Sequence, residues 1–166
     1  LIQHAGVILG VGGVANHAFS NFHCSDNFYY GNSNVVRNYT ACSAACLMVK
    51  KSVYNTINGM DENLKIAFND IDLCMKIRKL GLLVTYTPYA QLYHYESKTR
   101  GKPAGKDYYI WRKEYYFMIK KWKKYIFSDP YYNPNLSLTE ENFNIQYPHF
   151  SKLNPRKNLF LKKNDK

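Results

Sequence analysis

Between Lys106 and Phe127 large apolar side chains recur at helical spacing, and no other segment constrains the chain as strongly. Trp111, Tyr115, Met118, Trp122 and Tyr125 share one side, while Lys113, Lys120 and Lys124 mark another. A helix with one apolar side must bury it against other elements. The 166 residues, 46% hydrophobic and 16% aromatic, are enough for one domain with a real core. With charged residues at 21%, the profile is that of a folded protein and excludes a disordered tail.

The net charge of +11 is unevenly spread. Eight Lys/Arg against two Asp/Glu lie between Lys102 and Phe127, and six against one between Lys152 and Lys166. Between Met60 and Gly101 six bases face five acids, so that stretch is nearly neutral. A positive field attracts anions in general: nucleic acid, acidic lipid headgroups or a phosphorylated substrate. The four cysteines, Cys24, Cys42, Cys46 and Cys74, complete no zinc set and fit a reducing cytoplasm. The longest apolar run, Val7 to Ala15, is too short and Gly-rich to span a bilayer. Leu1 leads straight into a strand-like run without an initiator Met, which reads as a piece of something longer.

Along the chain, Ala5 to Leu9 reads as a short buried strand and 16–38 as loop chemistry. Ala44 to Val49 reads as a strand, and Lys51 to Ile57 as a helical turn broken at Asn58-Gly59. Asn69 or Asp70 is expected to cap a helix running to Leu80, with Ile71, Cys74, Ile77 and Leu80 buried and Gly81 as the stop. Leu82 to Thr87 and Ala90 to Tyr95 read as strands separated by Pro88. Beyond Ser128 the pattern is irregular, and no internal repeat occurs.

Three constellations could carry chemistry. The loop Gly10-Val11-Gly12-Gly13 lacks the helix and the distant acid of a dinucleotide fingerprint, so a flexible loop beside a site is expected instead. In Asn69-Asp70-Ile71-Asp72 two carboxylates stand at i and i+2 at a helix start. Both could serve as helix-start charges. They diverge by about half the helix circumference, so both cannot be buried for packing, and one could project into a cleft as a general base. In the third, His94 ends a strand-like run, and Lys98 and Arg100 follow among Ser97, Thr99 and Gly101, the composition of an anion-binding loop.

These residues resemble glycosyltransferase family 2 enzymes of bacterial polysaccharide synthesis. The resemblance rests on 68–74, Tyr86-Thr87-Pro88-Tyr89-Ala90, 92–97 and Arg100-Gly101. Gln3-His4-Ala5-Gly6-Val7 with Gly12-Gly13-Val14-Ala15, Thr40-Ala41 through Ala45-Cys46, Asn58-Gly59-Met60-Asp61-Glu62 and 129–136 agree with it. It covers roughly residues 3–138, the C-terminal, acceptor-side half of a catalytic domain, with the helix at about 106–127 included and an irregular basic tail over 139–166. It implies an α/β chain, a partial GT-A-like α/β/α sandwich lacking the N-terminal nucleotide-binding strands. The implied chemistry is inverting transfer from a nucleoside-diphosphate sugar to a glycan or lipid-linked acceptor. Asp70 would be the base, Asn69 and Asp72 would contact the acceptor, Lys98 and Arg100 the diphosphate, and His94 a divalent cation (Mn or Mg).

The cation's Asp-x-Asp ligands are absent from this chain, so it is expected to be inactive without the missing N-terminal half. A different class of reading is a basic module that binds an anionic membrane surface or a partner without catalysis. A nucleic-acid binder has Lys interleaved with aromatics in its favour, but no RNP-like or zinc-finger signature accompanies them. The expected location is the cytoplasm, at the membrane if the basic helix docks there.

Overall fold

A computed structural model describes residues 1–95 and 105–146. It is a mixed α/β structure of short strands and helices. The elements are β1 (Val7–Leu9), β2 (Ala15–His17), α1 (Phe28–Gly31), β3 (Arg37–Tyr39), α2 (Lys51–Thr56), α3 (Asn69–Lys79), β4 (Val84–Tyr86) and α4 (Lys106–Ile126). β1 pairs antiparallel with β2, Ile8 opposite Asn16, and β3 with β4, Asn38 opposite Thr85. A bridge from Val7 to Ala41 fastens the other edge of β1.

β1 is the pivot of the core because all three of its residues are buried. Successive strand side chains point to opposite faces. Accordingly Val7 and Leu9 join Leu73, Cys74, Ile77, Met118, Trp122 and Ile126 from α3 and α4. Ile8 points the other way, into a second cluster with Phe19, Tyr39, Tyr132, Leu136 and Phe143. Phe143 stacks on Phe19 and on Tyr29, each with centroids 4.6 Å apart. The irregular tail expected from residue 139 is therefore packed as far as Gln146, where Ile145 also bridges Leu136.

Gly6 makes a close approach possible. Its φ is +105°, and a Cβ there would sit 2.3 Å from the ring of buried Tyr39. Gly6→Ala should cost about 1–3 kcal/mol through overpacking and left-handed strain, read as a lower urea midpoint. A midpoint equal to wild type would show that the Tyr39 ring moves aside freely.

Several expectations need correcting. Ala44–Cys46 is a 3₁₀ turn rather than the start of a strand, because the Ser43 hydroxyl accepts from the Ala45 amide and no neighbouring strand offers a ladder. Ala90 to Tyr95 forms no strand: Pro88 ends β4, and Leu92, Tyr93 and Tyr95 are exposed with no described strand beside them. The helix cap is Phe68 in a left-handed conformation, φ +63°, so Asn69 and Asp70 form the first turn itself. Leu80, expected in the core, is 48% exposed, while Leu73 and Met75 are buried, so α3 is enclosed on more of its circumference than one stripe. The Gly10–Gly13 loop is no flexible ligand loop. It is the β1–β2 hairpin turn, closed by Gly10 N–H to Val14 O at 2.9 Å and tied by Gly12 N–H to Leu138 O at 3.1 Å.

Candidate active site

The N-terminus of α3 meets the turn after β3. Asp70 is partly exposed. One of its carboxylate oxygens accepts from the Ile71 amide at 2.8 Å, and the other from the Ala44 amide at 3.0 Å. The neighbouring amide, Ser43 N–H, donates to His4 Nε2 at 3.0 Å. Two side chains far apart in sequence thus hold adjacent amides of one turn. Each carboxylate oxygen has a second lone pair free for a hydroxyl. Asn69 Oδ1 accepts from the Asp70 amide at 2.8 Å and helps set the first turn.

His4 is largely enclosed and stands edge-on to His17, with centroids 5.3 Å apart. Gln3 reaches His17 Nδ1 at 3.0 Å. Burial, with His17 adding to it, lowers His4 from 6.5 to about 4. It is therefore neutral at pH 7, as an acceptor for Ser43 N–H must be. The sign follows. The unfolded chain takes up a proton near pH 6.5 and the folded chain does not, so stability is full above that pH and falls between 6.5 and 4. The loss should reach about 3 kcal/mol. Urea unfolding of His4→Gln should lack that part of the acid slope, because the Gln carbonyl accepts the amide without titrating. Equal slopes in the two proteins would exclude His4 as the source.

The loop leading into α3 is held from α4. Buried Glu114 accepts from the amides of Lys65 at 2.6 Å, Ile66 at 3.1 and 3.2 Å, and Ala67 at 2.7 Å. Three consecutive N–H groups close on one carboxylate, and the next residue, Phe68, takes the strained left-handed turn with its ring 6.2 Å from Trp111. Sequence reasoning missed Glu114. An acid inside an otherwise basic, aromatic helix was the only signal for it.

Asp72, expected at the acceptor, is fully buried. Its carboxylate faces α4, accepting from Trp122 Nε1 at 2.7 Å and pairing with Lys121 Nζ at 2.7 Å and Lys76 Nζ at 3.3 Å. Two positions along a helix turn a side chain through about half a circle. Asp70 therefore opens outward while Asp72 locks α3 to α4. Lys121 also binds Asp61 at 2.8 Å, a bond that lowers the Asp61 carboxyl to about 2. Burial alone would lower Lys121, but Asp61 and Asp72 outweigh it and raise it above its ordinary value. Lys76 Nζ also donates to the Gly59 carbonyl at 2.9 Å. The Gly59-Met60-Asp61 turn is thus fixed to both helices.

His94 is exposed in irregular chain, and no group of three metal-ligating side chains converges among the described residues. Lys98 and Arg100 lie outside the described residues. Cys42 and Cys74 are buried thiols, pushed up by that burial to about 12 and about 11. Cys24 and Cys46 are exposed. Half-buried Asp129 accepts from Leu9 N–H at 2.9 Å, Thr40 Oγ1 at 2.7 Å and Tyr131 N–H at 2.9 Å. Desolvation raises it despite those bonds. A cavity of about 230 Å³ lies under this C-terminal stretch, lined by Leu9, Ile126, Asp129 and Tyr132 among others, and Asp70 is not part of it. Among the described residues no helix is long and apolar enough to cross a membrane.

No protein-family profile matches the chain, and no solved structure matches it. It is 40% identical over 149 residues to the uncharacterized protein y4gI of Sinorhizobium fredii, covering 89% of this chain and 16% of that protein. It is 31% identical over 139 residues to the O-antigen biosynthesis protein RfbC of Myxococcus xanthus, covering 83% of this chain and 11% of that one. Over 64 residues it is 33% identical to the N-acetylglucosaminyl-diphospho-decaprenol L-rhamnosyltransferase of Mycobacterium tuberculosis, covering 38% of this chain and 21% of that enzyme. The chain thus spans about a fifth or less of each of these relatives, and two of the three are named for O-antigen biosynthesis and for rhamnosyl transfer.

Proposed function

We propose that this chain is the acceptor-side part of a GT-A glycosyltransferase of family 2, acting by inversion on a nucleoside-diphosphate sugar. The observation that carries the reading is Asp70: a partly exposed carboxylate at a helix start, fixed by two amides, on a turn whose adjacent amide is held by a neutral, half-buried His4. The names of two relatives support it. In this reading Asp70 accepts the proton of the acceptor hydroxyl as that oxygen bonds to the anomeric carbon. The bond from that carbon to the diphosphate oxygen breaks, its electron pair leaves with the diphosphate, and the configuration inverts. Asn69 lies beside the hydroxyl, and Lys98 and Arg100 balance the charge developing on the leaving diphosphate.

A divalent cation would neutralise the diphosphate when bound. The described residues do not fit one by themselves: His94 is a single imidazole, and hard cations need several oxygen ligands. Such ligands would come from outside this chain, together with the nucleotide-binding strands. The acceptor is a glycan or a lipid-linked sugar. The Mycobacterium tuberculosis relative is named an N-acetylglucosaminyl-diphospho-decaprenol rhamnosyltransferase, which favours the second.

The test uses the chain extended through the preceding strands. Titration with UDP- and dTDP-sugars and Mn²⁺ should give saturable binding, and transfer to a lipid-diphosphate sugar should yield a product of inverted configuration by NMR coupling constants. Retained configuration, or transfer undiminished in Asp70→Asn, would sink the reading.

A further inference from the structure

α4 buries one side and leaves the opposite side bare. Glu114, Met118, Ile119, Trp122 and Ile126 are its buried residues. Lys106, Tyr109, Lys113, Tyr116, Lys120 and Lys123 follow one another at alternating steps of three and four, and every one is exposed. That spacing sets the first five in one line along the helix, and Lys123 follows just past the local break at Trp122. Arg112 flanks the line, its guanidinium 5.8 Å from the centre of the Tyr116 ring. Lys124 stays exposed beyond the local break at Trp122. The helix carries two acids, and neither answers this charge: Glu114 is buried on the loop amides, and Asp107 lies off the line. Lys121 is the cation the fold consumes, on Asp61 and Asp72.

Charge alone fits any polyanion. The tyrosines narrow it, because Tyr109 is 66% exposed and Tyr116 49%, alternating with the lysines. Amphipathic rings between cations suit a bilayer interface, where the ring enters the headgroup layer and the ammonium meets phosphate. Single-stranded nucleic acid is instead tracked along a positively charged groove, whereas this line runs over the outer side of a helix.

We propose that the outer face of α4 is a docking surface for an anionic lipid bilayer, with Lys106, Lys113, Lys120 and Lys123 on headgroup phosphates and Tyr109 and Tyr116 as interfacial anchors. The proposal does not depend on sugar transfer. Seated this way, α4 would hold the 65–67 loop, gripped by Glu114, on its far side, about one helix diameter (~10 Å) from the headgroups.

The test is sedimentation of the whole chain with vesicles of phosphatidylcholine alone, or of phosphatidylcholine with phosphatidylglycerol. Binding is expected to the second only, and should weaken as salt rises. Lys113→Gln with Lys120→Gln should lower it by about 30-fold. Tyr109→Ser with Tyr116→Ser should lower it at unchanged charge. These positions are exposed, so the circular dichroism spectrum should stay that of wild type. A third protein, with the cations between Lys152 and Lys166 changed to Gln, should still bind. Equal binding to both vesicle types, binding untouched by the α4 changes, binding abolished by the tail changes alone, or binding to oligonucleotides but not vesicles would each overturn the proposal. No arm contains a sugar donor, so failure here leaves the transfer reading standing, and the reverse holds too.

Discussion

Asp70→Asn in a transfer-competent protein should lower turnover by ~10²–10⁴-fold, the range of a positioned general base. The amide keeps the shape and one acceptor oxygen, so one of the two amide contacts survives and the fold should hold. The affinity for donor should change little, because donor binding does not require the carboxylate charge. The effect should therefore appear in kcat rather than KM. Turnover close to wild type, or a matching loss of stability by urea unfolding, would remove Asp70 from the base role.

Asp72→Ala is expected to destabilise the fold by about 3–4 kcal/mol. Three groups lose a partner at once: the buried Trp122 N–H and the Lys121 and Lys76 ammoniums. Lys121 can fall back on Asp61, which keeps the cost below that of a fully stranded charge. Trp122 has no such recourse, being almost wholly enclosed. A double-mutant cycle with Trp122→Phe isolates the hydrogen bond, and a coupling of about 1–3 kcal/mol is expected. A loss under about 1 kcal/mol in Asp72→Ala would mean that water replaces the contact. Against the usual total of 5–15 kcal/mol, the predicted loss is a large fraction of the stability.

The contrast between Asp70 and Asp72 shows what was legible in the sequence. Their divergence follows from helix geometry, and it was readable that both could not be buried. Which of them faces α4 was not readable, because that depends on Trp122, fifty residues away. α3 and α4 were legible because periodicity, first-turn acids and Gly81 agree with one another. Ala90 to Tyr95 misled because alternation describes a strand only where a neighbour supplies a ladder. Glu114 and Asp129 share one reason for escaping notice. Each holds backbone amides, and amides carry no side-chain signature. The similarity of residues 129–136 to a known pattern was visible, but the grip of Asp129 on Leu9 was not.

That grip has a consequence for the birth of the protein on the ribosome. β1 emerges well before the acid that takes its Leu9 amide, which is 120 residues later. Phe143 and Tyr132, which pack the face of Ile8, follow later still. Contacts this distant in sequence form late, after the loop between them has closed. Until translation passes residue 143, the central strand has its apolar face open and its amide unpaired. During that interval the exposed strand is a surface for chaperones, and the segment from Asp129 to Phe143 is what covers it.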